Sequence, residues 1–126
     1  MIEKLFANTV YVKVFPNRFE LKHIEPGRSK VEVSSEPFTT ARLLVGKFSV
    51  AECVLKRGMK RLHEKRWFSP SPIVVIQPME KTDNGLSEVE ERVLLELAAG
   101  AGARKVSIWV GNELSDDEVT EKAAHA

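Results

Sequence analysis

The chain has 126 residues, 43% of them hydrophobic and 29% charged, which is the composition of one folded globular domain spanning residues 1–126. Its formal net charge of +1 excludes a general electrostatic attraction to nucleic acid or anionic lipid. The single cysteine, Cys53, excludes an internal disulfide, and no apolar run reaches the roughly 18 residues of a membrane span. Because the first residues also lack a secretory leader, we expect a cytoplasmic protein.

Three short strands separated by turns are predicted first. Residues 8–15, "NTVYVKVF", alternate valines with other side chains, which is the period of a half-buried strand. Residues 18–24 resume the alternation, and Val31 with Val33 marks a third strand. The sequence therefore predicts an antiparallel meander.

The first helix is predicted to begin at Ser49, because Ser49 and Glu52 have the spacing of a capping box. Cys53 is expected to be a small core residue on this helix, which prolines end before residue 73. The predicted inner stripe consists of Val50, Val54, Leu55, Met59 and Leu62.

A central strand, a second helix and a last strand follow. Residues 73–77 are apolar on both faces, as in the middle of a sheet. Ser87 and Glu90 form a second capping box, and glycines at 100 and 102 end that helix before the strand at residues 104–111. The tail predicts a short helix capped at Ser115. The inward side chains of the second helix are predicted to be Val89, Val93, Leu97 and Ala101.

These elements predict an α/β fold with a mixed five-stranded sheet. If the first strand pairs with the strand at residues 73–77, the βββαβαβ(α) order gives the strand order 3-2-1-4-5. Right-handed crossovers then place both long helices on one face. We expect Val31 and Val33 on that helical face and Glu32 on the opposite one.

The opposite face keeps an apolar patch. Its members are predicted to be Tyr11, Phe15 and Trp109, next to the strand at residues 73–77. Only the short C-terminal helix is available to cover them. We therefore predict that a protein partner or a second copy of the chain contacts this patch.

Three segments of residues 43–111 carry a resemblance to a known family. They read "LLVGKFSVAECVLKRGMKRL", "FSPSPIVVIQP" and "LSEVEERVLLELAAGAGARKVSIWVG". They resemble the first domain of MreB, the rod-shape-determining bacterial actin. The resemblance implies a ribonuclease-H-like, actin-like subdomain, whose βββαβαβ order agrees with the order predicted from the residues.

The departures from that family concern its nucleotide site. The family's first phosphate loop is an Asp-x-Gly-Thr hairpin between the first two strands, whereas this chain has "VFPNRF" there, without an acidic residue or a glycine. The second phosphate loop and the adenosine pocket would fall beyond residue 126. We therefore expect no ATP hydrolysis, no cofactor and no small-molecule substrate.

A basic patch at the end of the first helix is a candidate nucleic-acid surface. Lysine and arginine contacts to phosphates, with a stacking Trp67, would bind nucleic acid there. A solvated helix end, where cations are favourably placed, is the interpretation favoured for a chain of such low net charge. The patch consists of Lys56, Arg57, Lys60, Arg61, Lys65 and Arg66.

Two further features have ordinary explanations. Residues 1–7 place Ile2, Leu5 and Phe6 on one helical side, which could support a weak membrane-surface contact, but a lead-in to the first strand is favoured. The scattered histidines, with one cysteine, show no metal-ligand spacing.

The sequence thus favours a non-enzymatic protein-interaction or structural module. It resembles a truncated actin lobe, for which the resemblance implies a setting in cell-shape or cytoskeletal machinery. The alternatives are a nucleic-acid-binding module that uses the basic patch, and a residual nucleotide binder.

Overall fold

A five-stranded mixed sheet organises the computed structural model, which describes residues 8–63 and 71–126. The strand order is β3-β2-β1-β4-β5, so the predicted α/β class and the order 3-2-1-4-5 are confirmed. The elements are β1 (Thr9–Phe15), β2 (Arg18–His23), β3 (Arg28–Val33), α1 (Phe48–Leu62), β4 (Ile73–Pro78), α2 (Glu88–Gly100), β5 (Lys105–Ile108) and α3 (Asp116–Ala124).

Strand β1 lies at the centre of the sheet. It pairs antiparallel with β2 and parallel with β4, so that Val12 lies between Leu21 and Ile76. All three of these side chains are fully buried in the main core, which α1 and α2 cover. Burying each such aliphatic side chain contributes about 1.5–3 kcal/mol.

A second, smaller core lies on the opposite face of the sheet. There Val119 and Ala123 of α3, with Leu114 just before the helix, pack against Tyr11 and Val75. Strand β4 is therefore buried on both faces, as its continuous apolar sequence predicts.

The predicted orientation of β3 is wrong. Val31 and Val33 are 58% and 62% exposed, whereas Glu32 is only 3% exposed. Glu32 lies opposite Phe19 in the β2–β3 register, so its side chain is on the same face as the main core.

Two arginines of α1 explain why a carboxylate is buried there. Arg57 Nε lies 2.8 Å from Glu32 Oε1, and Arg61 Nη1 lies 3.2 Å from Oε2. Gly58 permits the close approach of α1, because a Cβ at this position would lie 2.8 Å from Glu32 Cγ. The edge strand is thus attached to α1 through an ion pair rather than through valines.

The start of α1 also differs from the prediction. The helix begins at Phe48 after Lys47, and no side chain caps it, so the predicted capping box at Ser49 is wrong. Cys53 is exposed rather than in the core. Ala51 lies on the buried side of α1 with the predicted Val54 and its neighbours, while Val50 is only partly buried.

The start of α2 is as predicted. Ser87 Oγ accepts a hydrogen bond from Glu90 N at 3.2 Å, and Glu90 Oε1 accepts one from Ser87 N at 2.9 Å. The predicted inner stripe is wrong at Val89, which is 71% exposed. Leu97 is buried as predicted, Val93 and Ala101 are partly buried against the core, and Leu94 and Ala98 are buried as well.

None of the helices in the two described segments has both the length and the hydropathy needed to cross a bilayer.

The buried Glu32 carboxylate gives a stability test. Replacing both Arg57 and Arg61 by alanine leaves the carboxylate without a cation, so we expect the free energy of unfolding to fall by about 3 kcal/mol at pH 7. Adding Glu32→Leu removes the buried charge and should restore most of that loss. Urea unfolding followed by circular dichroism measures both changes. A triple variant no more stable than the double variant would contradict this role of the carboxylate.

Candidate functional site

The predicted apolar patch is largely covered by the chain itself. Tyr11 is only 3% exposed, because α3 lies over it. Phe15 is half-buried, with the Arg18 guanidinium 4.1 Å from its ring centre. Trp109 is half-buried, with Lys122 Nζ 4.0 Å from its ring centre. Tyr11 is therefore not available at the surface, and the three residues do not form one open patch.

A buried polar network holds the turn that precedes α3. The Tyr11 hydroxyl donates to Gln77 Oε1 and accepts a hydrogen bond from Leu114 N at 3.1 Å. Gln77 Nε2 donates to the Gly111 carbonyl oxygen at 2.7 Å. Gln77 is fully buried, and the sequence signal for it is a single polar residue in an otherwise apolar strand. The network positions α3 over the sheet.

Ion pairs support the same contact from the sheet side. Lys13 Nζ lies 3.2 Å from Glu113 Oε2, and Lys22 Nζ lies 2.8 Å from Asp116 Oδ1. Burial alone would lower the pKa of Lys13, but Glu113 and Glu20 outweigh it, so this pKa is raised. These surface pairs are each worth about 0–1 kcal/mol, so the buried network and apolar packing hold α3.

The predicted basic patch is largely engaged within the chain. Arg57 and Arg61 bind Glu32, and Lys56 Nζ lies 3.7 Å from Glu52 Oε1. Lys60 is exposed. Lys65 and Arg66 lie outside the described residues, as does the predicted membrane contact of residues 1–7.

Residues 16 and 17 form the turn between β1 and β2. Asn17 has a φ of 58°, a conformation that asparagine tolerates. Its Oδ1 accepts hydrogen bonds from Phe38 N and Thr39 N, both at 2.8 Å. Asn17 N donates to Thr39 Oγ1 at 3.0 Å. The turn is thus bound to the connector between β3 and α1.

A groove lies at the same end of the sheet, where β1 and β4 end. We call it the apolar groove; α2 forms one wall and the connector the other. Its cavity has a volume of about 40 Å³. Val89 and Leu43 on its rim are 71% and 40% exposed. The lining residues are Leu43, Leu44, Val45, Pro78, Glu80, Lys81, Leu86, Val89, Glu90, Val93 and Leu94.

The size of the apolar groove limits what it can bind. One water needs about 10–15 Å³ of such volume, so the cavity holds roughly three water-sized groups. A branched aliphatic side chain fits this space. The lining is mainly aliphatic, so burial of apolar surface is the interaction that it offers.

Two histidines meet at the opposite end of the sheet. The rings of His23 and His63 have centroids 4.5 Å apart, and His63 Nε2 lies 3.2 Å from Asn8 Oδ1. The two histidines are far apart in sequence, so no local pattern predicts that their rings are in contact. Within residues 8–63 and 71–126, no group of three or more potential ligands could hold a metal ion.

Comparison with known proteins gives one curated relative. No family model matches the sequence. The chain is 36% identical over 104 residues to "Uncharacterized protein YjaA" of Escherichia coli strain K12, an alignment that covers 78% of this chain and 80% of that protein. The chain belongs to the YjaA family. The YjaA name states no activity, and neither finding connects the chain with MreB.

Tyr11 is the only tyrosine in this YjaA-family chain, so its titration can be measured alone. Burial raises the pKa of Tyr11 above 10.0, although the hydrogen bond from Leu114 opposes the shift. We expect tyrosinate absorbance to appear at a higher pH in the folded protein than in guanidinium chloride. Because the folded pKa is raised, the stabilising contribution is complete below about pH 10 and is lost as the pH rises through the folded pKa. A folded midpoint at or below the unfolded one would contradict the burial of Tyr11 under α3.

Proposed function

We propose that this protein is a non-enzymatic protein-interaction module whose contact surface is the apolar groove. The observation that supports the proposal is the exposure of Val89 and Leu43 on the rim of an aliphatic cavity. A valine that is 71% exposed beside a cavity loses that exposure when a partner side chain enters. A few buried anchors of this kind carry most of the energy of protein interfaces.

The groove lies at the end of the sheet where the carboxyl ends of the parallel strands β1 and β4 meet. Here that end of the sheet carries the Asn17 turn, hydrogen-bonded to the connector, and an apolar cavity. Both features favour contact with a protein side chain over binding of a phosphate.

We further propose that the domain is an actin-like lobe of the ribonuclease-H-like class. The strand order and the position of both crossover helices on one face support this assignment. Cell-shape or cytoskeletal machinery is the setting that follows from it. Fold alone does not determine function, so the groove carries the functional proposal.

Three alternatives have weaker support. For nucleic acid, Arg57 and Arg61 already pair with the buried Glu32 carboxylate, which offsets part of the positive charge of the basic patch. For a nucleotide, the apolar groove offers mainly aliphatic side chains. For a homodimer through Tyr11, Phe15 and Trp109, Tyr11 is only 3% exposed and the other two rings are half-buried.

The groove can be tested with two matched substitutions on α2. Val89→Asp places a charge on the groove rim, whereas Leu95→Asp changes a residue that is 39% exposed and does not line the groove. We expect tagged wild-type protein and Leu95→Asp to retain the same partner from a lysate of the source cell, and Val89→Asp to lose it. Quantitative mass spectrometry measures the retained proteins, and thermal unfolding controls for stability. Equal retention by both variants would refute the groove as the contact surface.

Nucleotide binding can be tested separately. We expect millimolar ATP with magnesium to leave the melting temperature unchanged, because Asn17 already binds the backbone N–H groups of Phe38 and Thr39 and the adjacent groove is mainly aliphatic. Differential scanning fluorimetry measures the shift, since a ligand that binds only the folded state raises the melting temperature. A saturable rise with ATP would support the residual nucleotide binder instead.

A further inference from the structure

We infer that two copies of this protein pair through the open edge of β5, so that their two sheets become one continuous sheet. The occupant of this edge is therefore a second copy of the chain. The inference goes beyond the proposed function, because none of the residues that line the apolar groove belongs to β5.

The backbone of β5 bonds β4 through every second residue. Ile108 pairs with Ile76 in the parallel register, and Trp109 N donates to the Ile76 carbonyl oxygen at 3.0 Å. Because backbone groups alternate in direction along a strand, the N–H and C=O groups of Val106 and Ile108 point away from β4. The described residues provide no other hydrogen bond to these groups. They form an unpaired edge.

The two edges of the sheet differ in how they are protected. On β3 the Glu32 side chain points inward and is only 3% exposed, a feature that disfavours addition of another strand. On β5 the side chains that pack against the main core are Val106 and Ile108, which are half-buried and apolar. Strand β5 contains no proline and no inward charge, so its edge is open to pairing.

An antiparallel arrangement about a two-fold axis at Ser107 satisfies the outward groups of both copies. Val106 of one copy then lies opposite Ile108 of the other, and each such pair exchanges both of its N–H···O bonds. The two apolar side chains of a pair are on the same face, where they contact each other. On the other face, the exposed Lys105 lies opposite Trp109 of the second copy, within reach of a cation–π contact.

The same two-fold axis limits the assembly to two copies. The arrangement uses both β5 edges and leaves only the β3 edges, from which Glu32 points inward. A second copy matches the pattern of β5 by symmetry, as in the self-complementary interfaces of most dimers, whereas a strand of another protein would have to match it independently. Because β5 has only four residues, the contact buries little surface, which is typical of weak, reversible association.

The association state of the full chain tests the inference. We expect sedimentation velocity to show a monomer–dimer equilibrium, with a dimer fraction that rises with concentration and no larger species. Ser107→Lys places like charges directly opposite each other at the two-fold axis, so the dissociation constant of the dimer should rise at least about tenfold. The matched control is Ser35→Lys, which adds the same charge at an exposed residue outside the sheet. Circular dichroism checks that both variants remain folded.

A cysteine cross-link reports the register directly. Opposite residues in a non-hydrogen-bonded antiparallel pair have Cα atoms about 4.5 Å apart, a separation that a disulfide can bridge. In a Cys53→Ser background, we expect Ser107→Cys to form a covalent dimer on mild oxidation. Ser29→Cys, at an exposed position on the opposite edge strand β3, should form several-fold less. Gel electrophoresis without reductant measures the product, and this variant decides the question if Ser107→Lys fails to fold.

Three outcomes would overturn the inference. The first is a chain that stays monomeric at every concentration. The second is a dimer that Ser107→Lys leaves unchanged, or equal cross-linking at the two cysteine positions, because either result places the contact elsewhere. The third is a monomer that retains a different protein and loses it in Ser107→Lys, because the edge would then accept a foreign strand instead of a second copy.

Discussion

The parallel pairing of β1 with β4 is the constraint on which the rest of the structure depends. It joins the N-terminal meander to the helical half of the chain and buries Val10, Val12 and Val14 completely. Because the two strands run in the same direction, their carboxyl ends meet at one end of the sheet. The connector before α1 and the loop before α2 are therefore brought together there.

These two segments determine which chemical groups are exposed at that end of the sheet. Asn17 satisfies backbone groups of the connector, and the connector then presents Leu43 to Val45 towards α2. A nucleotide-type scaffold usually presents free backbone N–H groups to a phosphate at a helix N-terminus. Here Ser87 Oγ accepts a hydrogen bond from Glu90 N at the start of α2, and aliphatic side chains form the adjacent surface. The same scaffold position is thus suited to an apolar contact.

Features that depend on local sequence could be predicted, whereas the orientation of the edge strand could not. The capping box at Ser87 and the cap at Ser115 indicated the starts of α2 and α3, and pairing of the first strand with the strand at residues 73–77 implied the strand order. The orientation of β3 could not be predicted locally, because Glu32 finds its arginines on α1, 25 and 29 residues away.

In the candidate site, too, the sequence indicated some residues, while the contacts between distant residues could not be predicted. The sequence identified Tyr11 and Trp109 as apolar residues on the second face, but the Tyr11–Gln77 hydrogen bond spans 66 residues. The sequence analysis also treated the C-terminal helix as too short to cover this face. In the structure, Val119 and Ala123, with Leu114 just before the helix, cover Tyr11 and Val75. The apolar groove depends on Leu43 and Val89 becoming neighbours across the chain, for which neither segment carries a local signal.

The inward-facing Glu32 affects association between molecules of this protein at high concentration. Strand β3 ends the sheet, and its outer valines would favour growth of the sheet by addition of a strand from another molecule. A charged side chain that points inward from an edge strand disfavours such addition. Arg57 and Arg61 keep that charge in place, so the ion pair that holds the last strand also disfavours addition of a strand from another molecule.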